Sequence, residues 1–404
     1  MKRLLLLNTS ANTGSTGRIA EEIGQTAIIK GYDSYFAYGR TATQSKSHLI
    51  QIGNNKDVKL HGIESLLFDN QGFGSYSATK KFIETIRCIN PDIINIHNLH
   101  GYYINVEELF NYLKETKIPV VWTLHDCWSF TGHCSHYMRF NCNKWMTGCY
   151  DCPNSKGYPK SLFWDRSKRN YEKKKELFTS LDNVTIVCPC NWLAGDVKFS
   201  YLSKYDIRTI YNGTDITIFQ PQESKLLRNT LGLRIKDKVV LGVASVWTKY
   251  KGLYDFYELN KTLGCDYKII LVGLNDKQIA ALPDGIIGIK RTESVQQLAE
   301  LYSLADVFVN PTYVDNFPTT NIEALACGTP VVTYNTGGSP EAVDEYTGVV
   351  VEQGNVSLLR AAVESCANNK KEFTKACRER ALKNFNKLER FKDYVRIFDR
   401  LIKR

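Results

Sequence analysis

The sequence predicts an α/β protein built from two doubly wound, Rossmann-like parallel-sheet domains facing each other across a cleft. Three observations predict it. Short apolar runs alternate with longer helical stretches along nearly all of the 404 residues. The runs are rich in Val and Ile and apolar on both faces, as strands covered by helices on each side must be. They also fall into two sets of about six, separated by a polar crossing.

The first set is Arg3–Leu7, Ser34–Tyr38, Asp92–His97, Pro119–His125, Val184–Cys188 and Arg208–Tyr211. Its opening, Met1-Lys2-Arg3 and then Leu4 to Leu7, imitates a signal peptide. The apolar run is shorter than the roughly 7–15 residues such a core needs, and Asn8-Thr9-Ser10 ends it, so it reads as a buried strand. The crossing is Tyr211-Asn212-Gly213-Thr214-Asp215, followed by Phe219 and Pro221. The second set is Val239–Ala244, Tyr267–Val272, Ile286–Ile289, Val307–Asn310, Pro330–Tyr334 and Gly348–Val351. From Lys371 to Arg404 the chain reads as helix. Phe385, Leu388, Phe391, Tyr394, Ile397, Phe398 and Leu401 form a stripe expected to pack on the first domain. The expected divisions are 1–213, 214–384 and a terminal helix over 385–404.

A hydrophobic fraction of 43% and a charged fraction of 23% describe an ordinary globular chain. No stretch approaches the ~18 apolar residues of a membrane span. The expected location is therefore the cytoplasm, with peripheral contact at the inner face of the membrane as a variant. The net charge of +10 favours an anionic partner. No nucleic-acid motif accompanies the basic residues, so nucleic acid is not an expected partner. Between Lys156 and Lys175 stand eight basic and two acidic residues with Leu162, Phe163 and Trp164. This segment reads either as a contact for an anionic membrane surface or as a solvated helix face.

Ligands of doubly wound sheets sit beyond the carboxyl ends of the strands, so residues just after strands are the functional candidates. After Val307–Asn310 comes a loop to Phe317, and Pro318 suits a first helical position. A helix through Thr319-Thr320-Asn321-Ile322-Glu323 follows, with Gly328 as its C-terminal stop. The amides of Thr319 and Thr320 then face a phosphate or diphosphate. Asp315 and Glu323 suit hydrogen bonds from sugar hydroxyls; each alone would read as a solvated acid.

The block Asp315, Glu323-Ala324-Leu325-Ala326-Cys327-Gly328-Thr329-Pro330-Val331-Val332, then Gly337-Gly338-Ser339-Pro340-Glu341, resembles the signature of glycosyltransferase family 4, retaining enzymes of GT-B fold. The resemblance extends to the crossing Tyr211–Asp215, to Lys251-Gly252, to Thr123-Leu124-His125-Asp126 and to Asn12-Thr13-Gly14-Ser15-Thr16-Gly17. It implies a nucleotide-diphosphate sugar donor, a glycan or lipid-linked glycan acceptor, and retention of anomeric configuration. In it Lys251 neutralises the leaving diphosphate, Asp315 holds the transferred sugar, and His125 lines the sugar pocket. Glu323 binds the ribose. Gly14, Lys249, Asn316, Phe317, Thr319 and Thr320 complete the donor side, with Asp126 toward the acceptor. Apart from the resemblance, His97-Asn98-Leu99-His100-Gly101 also ends a strand, so a histidine there, His100, could face the acceptor hydroxyl, while His97 reads equally as a satisfied buried histidine. The sequence departs from the pattern where Asp315 replaces the usual Glu, where Asn316 and Pro318 replace glycines, and where the arginine before Lys251 is missing. These departures motivate the alternative of a non-catalytic nucleotide-sugar binder. No Asp-x-Asp triplet is present, so no cofactor is expected to be required for catalysis.

Five of the twelve cysteines crowd into the insertion 127–153. The spacing Cys134-x7-Cys142-x6-Cys149-x2-Cys152 could make a structural zinc site, with His133 and His136 as substitute ligands. Packing thiols or two disulfides are the other readings. Trp128, Phe130, Tyr137 and Trp145 either stack on a sugar or pack this loop. The Cys-rich insertion resembles a subgroup that builds capsule and exopolysaccharide, including colanic-acid-type clusters.

Overall fold

The computed structural model describes residues 1–403. The chain forms two compact units, Met1–Ile210 with Phe391–Arg404, and Tyr211–Arg390. Arg404, the last residue of the predicted terminal helix, lies outside the described residues.

The first unit holds seven strands: β1 (Lys2–Asn8), β2 (Tyr32–Tyr38), β3 (His48–Gln51), β4 (Ile93–Ile96), β5 (Val120–Thr123), β6 (Val184–Cys188) and β7 (Asp206–Thr209). They pair in parallel in the order β3-β2-β1-β4-β5-β6-β7. Leu4 to Leu7 of β1 are at most 1% exposed, which is why this central strand reads as an unbroken apolar run. β3 was not expected from the sequence. It is a short edge strand with three of its four residues exposed, so His-Leu-Ile-Gln shows no core-facing run.

The second unit holds β8 (Lys238–Val243), β9 (Tyr267–Val272), β10 (Ile286–Ile289), β11 (Val307–Asn310), β12 (Val331–Tyr334) and β13 (Gly348–Val351). Their parallel order is β10-β9-β8-β11-β12-β13. In each sheet the strand order reverses at one point, between β1 and β4 and between β8 and β11. At such a reversal the connections leave to opposite faces, and a crevice opens at the strands' carboxyl ends. The loops that meet there run 9–13 and 97–105 in the first unit, and 244–252 and 311–318 in the second.

The predicted terminal helix is two helices, Lys370–Asn384 and Lys387–Ile402. The break has a backbone cause. Thr214 donates its N–H to the Phe385 carbonyl at 2.8 Å and accepts that of Lys387 at 3.1 Å. Gly213 makes room for this, since a Cβ there would stand 2.3 Å from the Lys387 Cα. Beyond the break, Phe391, Tyr394, Val395, Ile397 and Phe398 join the same core as Leu4, Leu6 and Ile23 of the first unit.

Candidate active site

In the second unit, the site is built on the reversal between β8 and β11. After β8, a 3-10 turn carries Lys249 and Lys251 and ends at Gly252, whose φ is +73°. A Cβ at Gly252 would stand 2.2 Å from the Pro311 carbonyl oxygen, so only glycine lets the two loops touch. Tyr313 then donates its N–H to the Tyr250 carbonyl at 2.8 Å. The result brings Lys251 Nζ to 2.5 Å from Asp315 Oδ2, with side chains 36% and 20% exposed. Lys249 is exposed, its ammonium 5.1 Å from the Tyr250 ring centre.

The acid loop is stitched from its other side as well. Gly338 donates its N–H to the Asn316 carbonyl at 2.8 Å. Gly337 has φ +53°, and a Cβ on it would reach within 2.0 Å of the Asp315 carbonyl oxygen. Asn310 at the end of β11 donates to Asn321 at 2.8 Å, and Asn321 donates to the Ser339 carbonyl at 3.4 Å. Strand, helix and glycine pair are thus one hydrogen-bonded frame.

The helix is Thr319–Ala326, with Pro318 as its N-cap, one position earlier than the sequence predicts for it. Proline offers no side-chain acceptor, so no side chain caps the amides of the first turn. Thr319, Thr320 and Glu323 lie on the partly exposed side of this helix. Glu323 accepts the Tyr302 hydroxyl at 3.0 Å. Tyr302 is a site contributor that the sequence reading missed, because nothing in the spacing of helix 295–304 marks it. Phe317 differs from expectation: it is 4% exposed and packs against Tyr211 and Phe385, with ring centres 5.2 and 5.9 Å away. Its side chain is core, which leaves its backbone as the part able to meet a ligand.

In the first unit, Gly14 opens the helix Gly14–Ile29 at φ +68° with open space where a Cβ would be. No side chain caps this helix either. Asn8, at the end of β1, accepts the N–H of Asn98 at 3.2 Å and so ties the glycine loop to the loop after β4.

There a chain of side chains ends at His125. Asn95 of β4 donates from Nδ2 to the Val121 carbonyl at 2.9 Å and to Thr123 Oγ1 at 3.1 Å. Its Oδ1 is therefore an acceptor, and it stands 3.1 Å from His97 Nε2. A neutral His97 must then carry its proton on Nε2 and accept at Nδ1. His125 Nε2, 2.9 Å away, supplies the hydrogen. The two rings lie nearly parallel, 12° apart. Burial pulls His125 down to about 4 and His97 well below the usual imidazole range, and the field of His125 adds to the second shift. Both rings are neutral at physiological pH, with their tautomers fixed by Asn95.

Beside them, His100 Nε2 is 2.6 Å from Asp126 Oδ2, and His100 Nδ1 is 3.1 Å from the Tyr158 hydroxyl. Burial pushes Asp126 up, but the charge and hydrogen bond of His100 outweigh it and bring the acid to about 2. The predicted acceptor-side pair is therefore in direct contact. Of the four aromatics in the insertion, Trp128, Phe130 and Trp145 are at most 1% exposed and pack the loop. Tyr137 donates to Asp196 at 2.7 Å. Cys134, Cys142, Cys149 and Cys152 all line one cavity and form no disulfide. Among the described residues no three His, Cys, Asp or Glu side chains form a ready metal-holding set. Lys174, counted in the sequence with the basic segment, is fully buried and belongs to no solvated face.

Residues 18–218 match the family described as Glycosyltransferase Family 4, and residues 223–384 match Glycosyl transferases group 1. The chain belongs to the glycosyltransferases. The Escherichia coli (strain K12) protein named for colanic acid biosynthesis, glycosyl transferase WcaC, is 25% identical over 374 residues, 88% of this glycosyltransferase and 89% of that protein. A D-inositol 3-phosphate glycosyltransferase of Mycobacterium marinum is 30% identical over 171 residues, 39% of this chain and 36% of its own length. Among solved structures, sucrose-phosphate synthase from Thermosynechococcus elongatus covers 100% of both chains at TM-score 0.74 and 17% identity. Anabaena HepE in complex with UDP-glucose covers 99% of this chain and 100% of its own, at TM-score 0.67 and 14% identity. These structural likenesses carry the fold: this glycosyltransferase is of GT-B type, with two Rossmann-like parallel-sheet domains. No helix among the described residues is long and apolar enough to cross a membrane.

Proposed function

We propose that this glycosyltransferase moves a hexosyl group, with retention, from a nucleotide-diphosphate sugar to a hydroxyl of a glycan or lipid-linked glycan in surface polysaccharide synthesis. The carrying observation is the contact of Lys251 with Asp315 beside an uncapped helix that presents Glu323 one turn further on. The relation to WcaC supports the polysaccharide setting, and HepE supports a UDP-sugar as the first donor to test.

Breaking the anomeric carbon–oxygen bond leaves its electron pair on the diphosphate and positive charge on the sugar. Lys251, supported by Lys249 and the amides of Thr319 and Thr320, stabilises that diphosphate, while Asn316 and Phe317 contribute backbone. Asp315 holds a sugar hydroxyl and aims Lys251. Glu323, already an acceptor for Tyr302, takes ribose hydroxyls. Gly14 lets the first-unit loop approach phosphate closely. The acceptor oxygen forms the new bond and its proton passes to the departing phosphate. His125, neutral and of fixed tautomer, hydrogen-bonds the transferred sugar, while His100 and Asp126 orient the acceptor.

A membrane-borne acceptor at the inner face of the membrane is supported by Phe163 and Trp164, which are 74% and 56% exposed beside Lys156, Lys160 and Arg166. Binding to anionic vesicles at low salt is the expected result, and its absence removes the membrane from the proposal.

A thermal-shift panel of UDP-, GDP- and ADP-sugars, followed by turnover with the donor that shifts most, tests the central reading. The expected result is release of nucleoside diphosphate matched by glycosylated acceptor. Donor binding without transfer to any glycan or lipid-linked acceptor would favour the non-catalytic alternative.

A further inference from the structure

The segment 131–154 has no strand and no α-helix, only 3-10 turns at Tyr137–Phe140 and Lys144–Met146. A loop of this length needs something other than a backbone ladder to hold it. Part of the answer is the aromatic packing of Phe130, Tyr137 and Trp145, with ring centres 5.1 Å apart in each contact. The same stretch also holds four cysteines, Cys134, Cys142, Cys149 and Cys152.

Cys134, Cys142, Cys149, Cys152 and His133 line a single cavity with about 20 Å³ of free space. That is room for one water-sized body. Cys149 Sγ accepts the N–H of Gly132 at 3.1 Å. Backbone N–H bonds to sulfur are what steady thiolates around a metal. His133, 1% exposed, engages Asp69 through Nδ1 at 2.7 Å, and its buried Nε2 has no hydrogen-bond partner.

Lys174 adds an argument from charge. It is fully buried. Its ammonium donates to the Trp128 carbonyl at 2.7 Å and lies 3.7 Å from the Trp128 ring centre. No carboxylate among the described residues forms an ion pair with it. Burial pulls it down to about 7, and Cys149 and Cys134 are the first of the neighbouring groups that act against this fall. A lysine kept charged at that depth calls for a nearby anion. Neutral thiols are not one, but four thiolates around a divalent ion are.

We infer that Cys134, Cys142, Cys149 and Cys152 bind one structural zinc ion as a closed tetrathiolate site, with Lys174 near its negative charge. Each thiol gives its proton to solvent as the metal enters, and the side chains lining the cavity turn inward from their present positions. The site would fasten the insertion that follows Asp126, independently of which sugar the enzyme transfers.

The test uses the full chain purified without added chelator. Elemental analysis should give about one zinc per chain, the stoichiometry of a closed four-ligand site. Native thiol titration should leave four thiols silent until a strong chelator is added. Replacing zinc with cobalt(II) should give the intense sulfur-to-cobalt absorption of a tetrahedral thiolate site. Cys149→Ser should lose zinc at least about tenfold, whereas Cys265→Ser, at an exposed cysteine, should not. If the Cys149 variant fails to fold, the cobalt spectrum of the native chain decides. Zinc-free protein with four reactive thiols, a mass showing disulfides among these cysteines, or a cobalt spectrum without sulfur absorption overturns the inference.

Discussion

The two units present their polar groups in opposite ways. In the first, buried Asn95 and His97 and half-buried His125 form a chain in which each link fixes the next. In the second, Lys251 and Asp315 have each other and a partly open setting. The first arrangement is finished before any ligand arrives. The second is provisional: Lys251 must share or exchange its carboxylate when a diphosphate binds. The difference separates groups that set geometry from a group that answers to charge.

Lys251→Ala probes the provisional half, and the largest effect is expected there. It should lower kcat about a hundredfold or more, as loss of a fixed electrostatic donor does. The melting temperature should barely move, because partly exposed ion pairs contribute about 0–1 kcal/mol. A large loss of stability in calorimetry would mean that this pair is structural too.

The finished half should show itself in acid. His125 is held at about 4 in the fold against 6.5 unfolded, so the unfolded chain takes up a proton first as pH falls. Stability should therefore decline from pH 6.5 toward pH 4, by on the order of 3 kcal/mol from this ring. Asp126, lowered from 3.8 to about 2, adds a second loss below pH 3.8. Chemical denaturation across this range checks both, and a flat profile above pH 4 would contradict the buried neutral ring.

Asn95→Leu removes the group that orients the imidazoles. It should destabilise the fold by about 1–3 kcal/mol, the cost of an unpaired buried donor. It should also shift the pH profile of kcat, which a purely structural residue would not do. The smallest effect is expected for Glu323→Gln, which can still accept from Tyr302. It should raise KM for the donor about tenfold, or roughly 1.4 kcal/mol, with kcat little changed. An equal fall in kcat would show that Glu323 acts in the transition state.

The parallel sheets were legible because β1, β6 and β12 are buried on both faces and need apolar residues throughout. β3 was not, because an exposed edge demands no such run. Asp315 could be picked out because it stands in a loop between a strand end and a helix, whereas Lys251 was marked by the resemblance to glycosyltransferase family 4. Asn95 and Tyr302 could not, since they become partners only when separate elements pack. The packing of the Phe317 side chain was hidden for the same reason: in the chain it stands between Asn316 and Pro318, while its ring neighbours in space are Tyr211 and Phe385. Lys174 looked like one more surface cation because burial of a lysine leaves no mark on sequence spacing.

The missing side chain at Gly337 limits how this enzyme could be redesigned. Any side chain at position 337 would collide with the Asp315 carbonyl, so a library that mutates both loops freely would mostly yield broken protein. New sugar preferences are better sought by keeping Gly337 and changing reach alone, as in Asp315→Glu, where the carboxylate advances by one methylene over an unmoved main chain.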